Sequence, residues 1–167
     1  MMNKLTLLVA CLAFAASSPA LASNAIAAPS ATAAVKDFYG WYLVQPNHEW
    51  TAHLTQIKSR FDPSLYTMLE TVLHSKANQE EPVLDFDPFV NAQWDATAYV
   101  LGTPVIKGAE VRVPVILNPA GHPNPKSTLT AVLRLNASGR WVIYNFIYDA
   151  TFNLRDFLRK QLKNGGS

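Results

Sequence analysis

AEVRVPVIL, residues 109–117, alternates by twos: Val111, Val113, Val115 and Leu117 fall on one side, Glu110, Arg112, Pro114 and Ile116 on the other. A period of two is the signature of a strand with one face on a core. Pro114 cannot donate to a ladder, so it is expected at an edge or a bulge. On the N-terminal side, ATAYVLGTPVIKG (96–108) is strand-like and joins this strand through Lys107-Gly108. On the other side, NPAGHPNPKS (118–127) is the longest loop, and TLTAVLRLN (128–136) follows with Leu129, Ala131, Leu133 and Leu135 on one face. NASGR (136–140) is a hairpin turn, and RWVIYNFIYD (140–149) is the last and most apolar strand. About four antiparallel strands are predicted.

The flanking segments change period. In TAAVKDFYGWYLVQ (32–45), Val35, Phe38, Tyr39 and Tyr42 are three and four residues apart, a helical stripe that Pro46 ends. Leu54, Ile57 and Phe61 form a weaker one. Asp62-Pro63 is a start signal, an N-cap followed by proline at the first helical position. Leu65, Leu69, Val72 and Leu73 carry that helix to about Lys76, and the polar ANQEEP (77–82) closes the helical half. At the far end Leu154, Phe157, Leu158 and Leu162 oppose Arg155, Arg159 and Lys163. The order of helices, strands and a last helix predicts a single α+β domain over residues 31–163, with N-terminal helices on one face of a curved antiparallel sheet and a C-terminal helix. Residues 164–167 are expected to fray.

The first residues predict export. MMNK carries one positive charge, LTLLVACLAFAA is an uncharged apolar run, and SSPALA ends in small residues, the order of a secretory signal peptide. Cleavage is expected after Ala22, with a second A-x-A site ending at Ala27, and residues 23–30 read as a flexible leader. LVAC at 8–11 also matches a lipobox, in which Cys11 would be lipidated, but only ten residues precede it and the apolar run continues past it. The expected location is the periplasm, with membrane attachment only if Cys11 carries lipid. Cleavage after Ala22 removes Cys11, the sole cysteine, which excludes disulfides, thiol nucleophiles and thiolate metal sites. It also removes Lys4, leaving 13 basic against 12 acidic residues, a charge of +1. Without a basic patch, nucleic acid is not an expected partner.

The residues that bear on chemistry are few. VLDFDPFVNAQWD (83–95) crowds Asp85, Asp87 and Asp95 between the helical and strand halves. A calcium loop counted from Asp85 fails, because its fifth, sixth and twelfth positions are Phe89, Val90 and Ala96. Three acids on one segment do not supply the facing pair of a glycosidase. The structural reading is a corner: Asp87-Pro88 starts a turn, Phe86, Phe89 and Trp94 plug the gap between helix and sheet, and Asn91 and Gln93 satisfy edge groups. His48, His53, His74 and His122 lack zinc spacing and read as exposed residues on loops and helix rims. No nucleophile elbow, phosphate loop or dinucleotide turn is present, so no catalytic residue, metal or cofactor is predicted. In the last strand, Tyr144, Phe146 and Tyr148 form an aromatic row that either packs under a helix or binds a ligand.

AVKDFYGWYL, DFDPF and GRWVIYNFIY, in that order across nearly the whole mature chain, resemble the bacterial envelope family catalogued as domain of unknown function 3828, which includes YbjP-type lipoproteins. The resemblance implies a cystatin-like or NTF2-like fold and no reaction or catalytic residues. The lipoprotein members carry their cysteine after a longer apolar run than precedes Cys11 here. The expected function is a non-enzymatic binding or accessory domain of the cell envelope that takes an envelope protein or a small apolar ligand. Its contacts would be Tyr144, Phe146 and Tyr148, with Asp85 and Asp87 at the rim. The alternatives are a small hydrolase or isomerase using a pocket Asp (Asp87, Asp95 or Asp149), and an inhibitor or immunity protein against an envelope-directed enzyme.

Overall fold

The valine alternation does what its period dictates: Val111, Val113, Val115 and Leu117 are all buried, and their strand becomes the centre of the sheet. The computed structural model describes residues 19–45, 49–75, 83–119 and 126–164. The expectations for the first 18 residues with Cys11, for His48, for 77–82, for the loop with His122 and for 165–167 lie outside them. Strands β1 (Ala96–Leu101) and β2 (Val105–Lys107) flank one side of β3 (Glu110–Pro119). β4 (Ser127–Leu135) and then β5 (Trp141–Ile147) lie on the other, and every pairing is antiparallel. Val111, Leu133 and Ile143 share one rung of the core face, and Val113, Ala131 and Phe146 the next. The architecture is α+β, as expected.

Five strands replace the expected four because Gly102-Thr103-Pro104 interrupts the first one, separating β1 from β2. That break also accommodates Pro114, which sits on the central strand and not at an edge or bulge. A residue of an antiparallel strand presents its N–H and C=O to the same side. Gly102 N–H donates to the Pro114 carbonyl at 2.8 Å, so the missing donor of Pro114 faces the gap between β1 and β2. Gly108, at φ +61°, makes the tight turn from β2 to β3.

Helix α1 (Pro19–Tyr42) lies across the core face, in contact with β1, β2, β3 and β5. It corrects the leader expected at 23–30: these residues are helical, since alanine-rich sequence favours helix even without an apolar stripe. Among its described side chains, Ala27, Ala31, Val35, Phe38, Tyr39 and Tyr42 pack into the core. Helix α2 (Trp50–Ile57) buries Trp50, His53, Leu54 and Ile57. His53, expected on an exposed rim, is only 7% exposed, because it occupies the second position of that stripe and meets the Trp41 ring edge-on.

After a 3-10 turn (Lys58–Arg60), Phe61 bridges Ile143 and Asp62 N–H donates to the Ile143 carbonyl at 2.9 Å, covering the outer edge of β5. Asp62 then caps α3 (Pro63–Leu73), accepting from Ser64 N–H at 3.1 Å and Leu65 N–H at 3.3 Å, as the sequence predicts. Helix α4 (Leu154–Asn164) packs on α3. Arg155, expected on its polar face, is only 4% exposed. Its guanidinium donates to Asp62, to Ser64 Oγ and to the Tyr144 carbonyl, so a buried charge is paired and hydrogen-bonded. Leu135, expected on the core face, is 54% exposed, since it lies on the last rung of the β4–β5 hairpin.

Candidate ligand-binding cleft

The corner at 83–95 is built on one aspartate. Asp87 Oδ1 accepts Phe89 N–H at 2.7 Å, which is the turn that Asp-Pro predicts. The Asp87 carbonyl accepts Val90 N–H at 3.2 Å and Asn91 N–H at 2.7 Å, and Asn91 closes the turn at φ +57°, a left-handed conformation that asparagine tolerates. Three tyrosines fasten this turn to the core. Tyr42 donates to Asp87 Oδ2 at 2.7 Å, Tyr148 to the Pro88 carbonyl at 2.8 Å and Tyr39 to the Phe89 carbonyl at 2.8 Å. Ser127 Oγ donates to the Val90 carbonyl at 2.6 Å. Gln93 reaches back to the Asp85 carbonyl at 3.0 Å and Asn91 to the Thr128 carbonyl at 3.5 Å. The ring of Phe89 projects into the core, among Phe38, Tyr42, Trp50, Phe61 and Phe146.

Above the fastened turn lies a cleft of about 380 Å³ between the start of α2 and this corner. Glu49, Asp85, Asp87 and Asp95 supply its polar wall, and Trp50, Leu84, Phe86 and Trp94 its apolar wall. Burial pushes the Asp87 carboxyl up to about 7, against the lowering effect of the bonds from Tyr42 and the turn N–H groups. Burial, and then the Asp87 charge, push the Tyr39, Tyr42 and Tyr148 hydroxyls up, so all three stay protonated donors.

The aromatic row expected in the last strand is not a row. Val132 pairs with Asn145 but Leu133 pairs with Ile143, so Tyr144 is an extra residue in β5, and this bulge resets the alternation. Phe146 is fully buried in the core. Tyr144 is sandwiched between the guanidinium groups of Arg134, at 3.5 Å, and Arg155, at 3.8 Å. Tyr148 serves the corner from beneath. Asp85 and Asp87 do meet at the cleft, and Asp95 joins them. Asp149 does not: it is exposed and caps its own turn, accepting Thr151 N–H at 2.6 Å and Phe152 N–H at 2.8 Å, which holds its carboxyl below the usual range. Phe89 plugs the interior as expected, whereas Phe86 packs on Tyr148 and Phe152, and Trp94 stays at the cleft.

Tyr39, Tyr42 and Trp50 are the contributors that sequence reasoning missed. A signal was present: a buried tyrosine needs an acceptor for its hydroxyl, and two lie on the apolar stripe of α1. Among the described residues, no three His, Cys, Asp or Glu side chains gather closely enough to hold a metal ion, and no helix is long and apolar enough to cross a membrane. No family model matches the chain, and neither a curated protein nor a solved structure does.

Proposed function

We propose that the chain is an exported, non-enzymatic binding domain of the bacterial envelope, and that it holds a small ligand in the cleft above Asp87. The cleft carries this reading: it combines an aromatic wall and several carboxylates above a turn fixed from beneath by three tyrosines. Largely preformed pockets that mix apolar walls with a few placed polar groups are where small ligands bind. A fixed turn also lowers the ordering cost of binding. In this reading Asp85 and Asp95 stand at the rim, Asp87 holds the turn beneath them, and Trp94 takes the place of the buried Phe146 as the aromatic contact.

The test is native mass spectrometry of the protein isolated from its own envelope, beside a Trp94→Ala variant. The expected result is an added mass that denaturation removes and that the variant lacks. A bare wild-type chain would refute the reading. The denatured mass also reports processing, since cleavage after Ala22 or lipid on Cys11 each gives its own value. A second reading, a small hydrolase or isomerase, draws support from Asp87, whose burial raises its carboxyl into the range a general base uses. It would require Asp87→Asn to keep the bound mass and to abolish turnover of that molecule.

A further inference from the structure

We propose that the free edge of the sheet at β1 is a dimer interface, where a second copy of this chain adds its own β1 antiparallel about a two-fold axis at Val100. The Gly102 N–H that donates to the Pro114 carbonyl fixes the phase of the strand. Gly102, Val100 and Ala98 turn their backbone groups toward β3, and Tyr99 and Leu101 turn theirs outward. Among the described residues, no hydrogen bond meets those outward N–H and C=O groups. The opposite edge is closed: Phe61 and the Asp62 N–H cover β5 at Ile143, and Asn153 bridges Ile147. Open edges take up further strands, and chains that keep them single place lysine or proline there or cover them. β1, ATAYVL, carries no charge and no proline. The bulge between Ala96 and Ala98 and the break after Leu101 bound the open stretch, so the pairing is short and the dimer weak.

A second copy fits this edge because the edge is its own complement. About an axis at Val100, Tyr99 of each copy exchanges both backbone bonds with Leu101 of the other, and the two Val100 side chains meet as the close, non-bonded pair. Val100 lies on the outer face opposite Ile116 and is 56% exposed, and Val105, on the same face opposite Arg112, is 57% exposed. Of the four large apolar side chains exposed among the described residues, these two share the edge. Charge agrees with the antiparallel sense. No charged residue stands between Asp95 and Lys107, both exposed, and the two-fold carries the Asp95 end of one copy toward the Lys107 end of the other.

The experiment is sedimentation equilibrium of the full exported chain from about 1 µM to about 0.5 mM, with backbone hydrogen exchange followed at both ends of that range. An interface this small is expected to give a dissociation constant on the order of 10–100 µM. Protection of the Tyr99 and Leu101 amides is expected to grow with concentration. Val100→Lys, at an exposed position, sets two like charges on the axis. It is expected to raise the constant at least about tenfold, with the melting temperature of the dilute monomer unchanged. Leu135→Lys, at an equally exposed apolar residue on the far hairpin, is expected to leave the constant unchanged. Asp95→Lys is expected to weaken the dimer about threefold, and Lys107→Asp added to it to restore the wild-type value. A weakening that the second change does not reverse overturns the antiparallel sense. A chain that stays monomeric throughout overturns the proposal and leaves the edge to an extended strand of another protein. A dimer that Val100→Lys does not weaken, or that leaves Tyr99 and Leu101 unprotected, overturns it as well, by placing the contact on another surface.

Discussion

At Asp87, burial and hydrogen bonding oppose each other, and burial wins. The turn needs an acceptor for Phe89 N–H, and Tyr42 brings a second donor, yet the surrounding rings remove the water that would solvate a charge. The carboxyl therefore titrates near 7 in the folded chain against 3.8 for an ordinary aspartate. Between those values the native state keeps a proton that the unfolded chain has released. Stability from this group is thus fully present below about pH 4 and is lost as pH rises through 7. The whole swing is at most on the order of 4 kcal/mol, by the free energy of a pKa shift. An Asp87→Asn variant keeps an oxygen for Phe89 N–H and an amide for Tyr42, and it cannot ionise. Urea unfolding from pH 4.5 to 8 is expected to show a falling stability in the wild type that is flattened in the variant. Equal slopes would assign the titration to another residue.

Among the elements, the break between β1 and β2 has the narrowest tolerance. It exists because proline on a central strand leaves no donor for its neighbour, and Gly102 lets the two backbones approach. A Cβ at Gly102 would stand 3.0 Å from Pro114 Cβ and 3.2 Å from its Cγ, and the proline ring has no rotamer by which to move away. Gly102→Ala is therefore expected to destabilise the protein by about 1–3 kcal/mol, the usual cost of overpacking. A loss of 0.3 kcal/mol or less on denaturation would mean that the strands part without cost. The same β3 pattern shows how far element-level reading reached. Its alternation correctly assigned the buried face, whereas Tyr144 in β5 escaped, because a bulge is a property of the pairing partner as much as of the strand.

The whole molecule closes on Phe89. Its ring touches helix, corner and sheet residues at once: Phe38 and Tyr42 of α1, Trp50 of α2, Phe61 before α3 and Phe146 of β5. Phe89→Ala is expected to cost about 3–5 kcal/mol, the range for emptying a fully buried phenylalanine site. Phe86→Ala, at a half-buried ring on the cleft side, is expected to cost clearly less. Comparable losses in the two variants, measured by thermal unfolding, would show that the corner and not the core ring joins the halves.

The sequence by itself determined the α+β order, the buried face of β3, the capped start of α3 and the turn at Asp87-Pro88. Each of these follows from periods, caps and local hydrogen bonds that span only a few residues. What tertiary structure alone decided involves partners far apart in sequence. Pro114 is harmless because Gly102 sits opposite it, and Arg155 is buried because Asp62 and Ser64 wait on another helix. Three acids became the wall of one cleft because tyrosines more than forty residues away hold their turn beneath Trp50 and Trp94. Local chemistry is written in neighbours, and burial and a shared cleft arise only when distant residues meet in one volume.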